Sequence, residues 1–255
     1  MAVALRQTWE VLITLSLADL RDRFGRGGTR GVKWLLDPYA TAGVYLIFVA
    51  FIIDRPGEAP GLTVACAVVP FQLFIGTGIA AMRIVEERRQ LILNLGFRRD
   101  LLPAAVTLTQ VLGFGASLSL LAVMMLAYGV PVTSAALWLI PVVAVNIIFT
   151  LAFAYPVALF GIWFRELRVF AVSAMRVAYF LAPGVIALAE IPGTANTLVR
   201  FNPLTGIFES YRDALLYGHA PAAWELLIPL GFSAVVLAAC VPLFRSEQAH
   251  LAKVA

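Results

Sequence analysis

Long apolar segments separated by polar loops constrain this chain more than any other feature. A bilayer with a hydrocarbon core about 30 Å thick is crossed by about 20 mostly apolar helical residues. Six stretches fall in that range: 38–54, 62–82, 102–129, 136–163, 171–190 and 224–244. In hydrocarbon every backbone N–H and C=O must be satisfied within the protein, so an open sheet edge is excluded and the stretches read as helices. The expectation is an all-α polytopic membrane protein, with residues 1–255 forming a single transmembrane domain.

The basic residues between these segments fall on one side. Arg6, Arg21, Arg23, Arg26, Arg30 and Lys33 precede the first segment, and Arg83, Arg88, Arg89, Arg98 and Arg99 follow the second. Arg165, Arg168, Arg176, Arg245 and Lys253 join them, whereas the opposite side carries only Arg55, Arg200 and Arg212. Short cytoplasmic loops are enriched in Lys and Arg, so both termini are expected in the cytoplasm.

Charged residues make up 13% of the chain and hydrophobic residues 61%, a balance foreign to soluble domains. The net charge of +4 reflects this loop asymmetry and forms no separate basic domain, so nucleic-acid binding is not expected. The first residues include Arg6 and Glu10 and lack the short apolar core of a removable signal peptide. Cys66 and Cys240 have no CxxC or Cys/His neighbour and are expected to be structural thiols rather than metal ligands or a disulfide.

Residues 5–24 place Trp9, Leu12, Ile13, Ser16, Leu17, Leu20 and Phe24 at helical spacing, with Glu10, Asp19, Arg21, Asp22 and Arg23 largely elsewhere on the wheel. Such a segment is too polar to span and suits the membrane interface. It reads equally as a passive anchor and as a gate or docking element. Gly25, Gly27, Gly28 and Gly31 follow, interleaved with Arg26 and Arg30. They lack the phosphate-loop spacing and read as a basic hinge beside anionic headgroups.

The loop 83–99 begins with a helical pattern of Ile84, Val85, Arg88, Leu91, Ile92 and Leu95, where Glu86 and Glu87 are expected to pair with Arg89 and Gln90. Asn94 and Gly96 suit its end. A bare connector would be shorter, so the loop reads as a docking surface, the solvated connector being the simpler reading. The second inner connection, Arg165-Glu166-Leu167-Arg168, reads either as a smaller contact or as a cap on two helices.

The longest outer connection, 191–223, contains an apolar stripe of Leu204, Ile207, Phe208, Tyr211, Leu215 and Leu216, with Thr205 as expected N-cap and Gly218 as expected C′ residue. A short re-entrant or interfacial helix is expected, held by charges among Glu209, Arg212 and Asp213. Arg176 lies several residues into the fifth segment on a stripe with Tyr179, Phe180 and Pro183. It reads as part of a cationic, aromatic channel wall, joined by Tyr45 and Phe48 of the first segment, or as an arginine snorkelling to the headgroups.

These features together resemble the permease subunit of type-2 ABC exporters, in the polysaccharide (O-antigen, teichoic acid or galactan) branch. Four stretches carry the resemblance: Arg23-Phe24 followed by Gly31-x-x-Trp34-x-x-x-Pro38; Asn94 followed by Phe97-Arg98-Arg99-Asp100-Leu101-Leu102-Pro103; Asn202-Pro203-Leu204-Thr205 through Tyr211-Arg212; and Phe244-Arg245 with a short polar tail. One departure is Gly27-Gly28-Thr29-Arg30-Gly31, where the family commonly carries a serine-leucine-glycine type stretch.

The resemblance implies a homodimer in the bacterial inner membrane, working with two copies of a separate ABC ATPase. This chain has no Walker A loop and binds no cofactor of its own; ATP and Mg belong to the partner subunit. Glu86, Glu87, Arg88, Arg89, Asn94, Arg98 and Arg99 would couple to that ATPase. Arg23, Phe24, Arg26, Gly31 and Trp34 would form a gate beside the interface helix, and Asn202, Pro203, Tyr211 and Arg212 the external segment. The cargo implied is a polysaccharide or teichoic-acid-like polymer on undecaprenyl diphosphate. A drug or lipid exporter of the same fold is the alternative. A membrane enzyme on lipid-linked intermediates is weaker, because no cluster of acids, histidines or metal ligands is apparent, and a secondary transporter would be expected to show repeated halves.

Overall fold

Four helices in this computed structural model are long and apolar enough to cross a bilayer, within Pro60–Ile84, Leu102–Tyr128, Ser134–Trp163 and Ala223–Ser246. The structure describes residues 59–88 and 99–247, with 10, 13, 14, 16–18, 36, 39, 40, 43 and 44 from the amino-terminal part, all of these last helical. The four helices match the second, third, fourth and sixth expected crossings; most of the first lies outside the described residues. No described residue belongs to a strand.

The long helices are α1 (Pro60–Glu87), α2 (Leu102–Tyr128), α3 (Leu139–Trp163, preceded by a 3-10 turn Ser134–Trp138), and α7 (Ala223–Ser246). Pro60 opens α1 and Pro103 sits in the first turn of α2, where a missing N–H leaves no hydrogen bond unmade. Gly129 closes α2 with φ +67°, its N–H reaching Leu126 O and Met125 O, a conformation available to glycine without Cβ strain.

The fifth expected crossing departs from a continuous helix. Helix α4 (Arg168–Leu181) has 14 residues, about 21 Å at 1.5 Å per residue, short of the hydrocarbon thickness. Pro183 has no N–H to offer Tyr179 O and disfavours helix at Ala182. Gly184 N instead donates to Tyr179 O at 3.0 Å. The chain then runs through a buried irregular stretch to a 3-10 turn, Leu188–Glu190.

Two short helices follow, α5 (Gly193–Arg200) and α6 (Pro203–Arg212), the latter running on into a π-turn, Asp213–Tyr217. Gly218 ends it at φ +70°, the expected C′ role. The expected N-cap is corrected: Asn202, not Thr205, caps α6, its Oδ1 accepting from Leu204 N at 3.1 Å, because Pro203 takes the first helical position. Thr205 lies inside the helix, its hydroxyl buried without a hydrogen-bond partner. Every residue of α6 after Pro203 is buried, so the segment enters the protein rather than lying on its outer surface.

Helix α1 is the central post: most of its spanning part is buried, whereas little of that of α7 is. It packs on α2, α3, α4 and α6. Since lipid is as apolar as leucine, such packing rests on close fit and interhelical hydrogen bonds. Gly161 of α3 lies so close to the Met82 backbone of α1 that a Cβ would overlap it, and a Cβ on Gly206 of α6 would stand 2.6 Å from Glu225 O of α7. Ser117 donates to Gln72 Oε1 at 3.3 Å between α2 and α1. The buried Ser16 hydroxyl donates to Ala105 O at 3.1 Å, which places Ser16 against the first turn of α2.

Candidate functional site

On the side that bears the basic loops, α1 continues unbroken to Glu87. Glu86 and Glu87 therefore close a spanning helix instead of opening a separate short one. The pairing expected with Arg89 and Gln90 lies outside the described residues; the Glu86 carboxylate bridges Arg165 at 2.5 Å and Arg168 at 2.9 Å. Arg168 also donates from Nε and Nη2 to Gly161 O, at 3.1 and 2.7 Å. One arginine thus caps the carbonyl end of α3, begins α4 and ties both to α1, so the capping reading of this inner connection holds in the structure. Burial raises the Glu87 carboxyl above its ordinary pKa, with Arg83 opposing and Glu86 adding to the shift. Burial lowers that of Arg88.

The far end of the same loop is anchored too. Arg99 opens a 3-10 turn, Arg99–Leu101. Asp100 is buried; its Oδ2 accepts from Arg245 Nε at 3.1 Å, and its backbone oxygen accepts from Tyr155 OH at 3.2 Å. Phe244, fully buried, packs edge-on against the Tyr155 ring at 5.8 Å. The loop thus starts at an ion pair to α4 and ends at one to α7. Arg89, Asn94 and Arg98 lie outside the described residues.

At the other side of the membrane, Arg212 is fully buried and holds four elements together. Its Nη1 lies 2.5 Å from Glu209 Oε1, Nε donates to Thr63 O of α1 at 3.1 Å, and Nη2 donates to Pro183 O at 3.0 Å. Glu209 Oε1 also accepts from Leu188 N at 2.9 Å. The carbonyls left free where Pro183 breaks α4 are therefore bonded by a guanidinium, whose planar fork suits several oxygens at once. Tyr211 is buried beside it, within 3.5 Å of Asn146 Nδ2. Asp213 lies 3.5 Å from His219; burial raises its carboxyl above the ordinary range, with His219 pulling it back.

The residues expected on a channel wall divide. Arg176 and Phe180 are exposed on α4. Tyr179 is not on an open wall: its hydroxyl donates to Gly184 O at 2.8 Å, its ring lies 5.0 Å from Phe71, and it is 1% exposed. Although residues three apart share a helix face, the bond to Gly184 and the contact with Phe71 turn the Tyr179 ring away from Arg176 into the core. Tyr45 and Phe48, and the gate residues Arg23, Phe24, Arg26, Gly31 and Trp34, lie outside the described residues. Between α1, α3, α4 and α7 opens an aromatic cavity of about 710 Å³, lined also by Asn202, Pro203 and Leu204.

No family model matches the chain. Curated relatives match along nearly its whole length. An O-antigen export system permease protein RfbA of Myxococcus xanthus is 27% identical over 95% of this chain and 94% of its own. A Klebsiella pneumoniae protein of the same description is 23% identical over 90% of this chain and 88% of its own, and another is 21% identical over 82% of each. The chain resembles O-antigen export permeases. This similarity supports the type-2 ABC export-permease resemblance read from its motifs, and permeases of this kind are transport components rather than enzymes.

Arg212 and Glu209 form a buried ion pair with Tyr211 buried beside them, whereas Asn202 sits at the opposite end of α6 as its N-cap. The ion pairs Glu86–Arg168 and Asp100–Arg245 were missed, since partners 82 and 145 positions apart leave no periodic trace. The signal that existed was weaker: charges directly at the ends of apolar segments, where each is positioned to meet another segment's end. Among the described residues no group of three or more His, Cys, Asp or Glu is placed to hold a metal ion, and Cys66 and Cys240 are free thiols.

Proposed function

We propose that this chain is the membrane-spanning subunit of an ATP-driven exporter that moves a polysaccharide, carried on undecaprenyl diphosphate, from the cytoplasm to the cell exterior. The observation that carries this reading is the end-to-end similarity to O-antigen export permeases. The working unit is a homodimer with two copies of a separate ATPase in the bacterial inner membrane, both termini of each permease facing the cytoplasm. A polymer too polar for lipid needs a protein-lined path, and its diphosphate suits an entrance bearing arginines.

The loop 83–99 takes the push of the ATPase. Its two anchored ends support this role. Displacement at Glu86 would be passed to Arg168 and α4, and displacement at Asp100 to Arg245 and α7. Helix α4 is in turn joined at its outer end to α6 through Arg212. Motion begun in the cytoplasm thus has a bonded route to the external segment. Arg176 and Phe180 on the exposed side of α4 line the polymer's path.

The test is capture of the ATPase from cells producing both subunits, with Arg88→Glu/Arg89→Glu in the permease. Capture should fall strongly while the amount of inserted permease stays the same. Undiminished capture would remove the docking role of the loop, and robust ATP hydrolysis by the permease purified alone would remove the division of labour.

A further inference from the structure

The cavity beneath the re-entrant helices has a composition and a height that point to a ligand of its own. Its walls are Phe74 of α1, Phe149, Phe153 and Phe160 of α3, Phe170 of α4 and Phe232 of α7. Asn202 is the polar side chain of the lining, and its Oδ1 is already taken by Leu204 N. Beyond the Asn202 amide, sugars and phosphates therefore have nothing to bond there. Water gains little either, because a buried water needs two to four polar partners.

Depth narrows the choice. Phe160 lies one residue from Gly161, whose carbonyl meets the basic end of the protein. Trp163 and Phe164, half exposed just beyond it, suit the headgroup level where aromatic side chains gather. From Phe160 to Phe149 is eleven residues along α3, about 16 Å at 1.5 Å per residue. One leaflet of hydrocarbon is about 15 Å deep. The slot thus spans a single leaflet, from the cytoplasmic interface to a roof formed by the tip between α5 and α6.

We propose that this slot binds one acyl chain of a cytoplasmic-leaflet phospholipid, its methyl end under Asn202–Leu204 and its headgroup at the level of Trp163 and Arg165. A full-length undecaprenyl chain is far longer than one leaflet is deep, so the occupant is the membrane lipid and not the cargo carrier. The inference uses the orientation of the basic loops and stands whatever polymer is exported.

The experiment uses the full chain in nanodiscs containing phosphatidylethanolamine with a diazirine near the methyl end of one acyl chain, followed by irradiation and peptide mapping. Label is expected at Phe74, Phe149 or Phe153, and Ala174→Trp, which fills the slot from α4, should abolish it while label on the outward-facing Val235 of α7 persists. Ala171→Phe, from the same wall, serves if the tryptophan variant fails to insert. Label at the three phenylalanines that is absent in the parent, or unchanged in an inserted filling variant, would overturn the proposal. So would label there from a photoreactive polyprenyl phosphate but not from the phospholipid, or a disulfide between two copies of an Ala178→Cys chain, which would make the slot a protein interface.

Discussion

Replacing Arg212 with methionine tests the central claim about the outer half of the molecule. The side chain is fully buried, and methionine keeps much of its apolar stem while removing every donor. Glu209 would retain only Leu188 N as a partner among its bonds described above. Removing one member of a buried ion pair typically costs about 3–5 kcal/mol, because the other charge is left in a poor solvent. Domains of 150–250 residues lose about 2–4 °C of Tm per kcal/mol, so a fall of about 6–20 °C is expected in a thermal scan of the purified chain. Glu209→Gln should be milder, about 1–3 kcal/mol, since Arg212 would still be held by Thr63 O and Pro183 O. The double variant Glu209→Leu/Arg212→Met should be more stable than Arg212→Met alone by about 2 kcal/mol, both charges having gone. A Tm for Arg212→Met indistinguishable from the parent, or a double variant no better than the single, would refute the assignment of a buried ion pair.

Two further outcomes follow from the inner half. Gly161→Ala forces a methyl group into the Met82 backbone and should destabilise by about 1–3 kcal/mol, visible in the same thermal scan; an unchanged Tm would mean that α1 and α3 do not touch there. Glu86→Gln gives up the pairs to Arg165 and Arg168, of which the Arg165 side chain is 71% exposed. Its stability should fall by only about 1 kcal/mol, while polymer export per ATP hydrolysed falls several-fold with the ATPase still captured; unaltered export would show that force does not pass through this carboxylate.

The legible part of the fold was the part set by local chemistry. Long apolar runs bounded by charges gave α1, α2, α3 and α7 because the thickness of hydrocarbon is a constant outside the protein. The apolar stripe from Leu204 to Leu216 showed that a helix precedes the last crossing, and Gly218 marked its end. What could not be read was geometry set by contacts across the sequence. Continuity of the fifth crossing failed at Pro183, although the proline was in view, because prolines are tolerated within membrane helices and four of them, Pro70, Pro156, Pro229 and Pro242, sit inside helices here. What distinguishes Pro183 is the arginine 29 positions later that accepts the consequences of the break. Tyr179 was placed on the channel wall through its spacing to Arg176, yet its hydroxyl bond to Gly184 turns it into the core.

The bonding of Pro183 O by Arg212 bears on how the outer half can move. Open backbone in hydrocarbon is tolerated only while something polar stays bonded to it. A rearrangement that pulled the re-entrant hairpin away from the broken helix would bare at least one carbonyl and one carboxylate to lipid together. The two segments must therefore travel as a single rigid block, and any widening of the exit has to arise along that block's border with its neighbours.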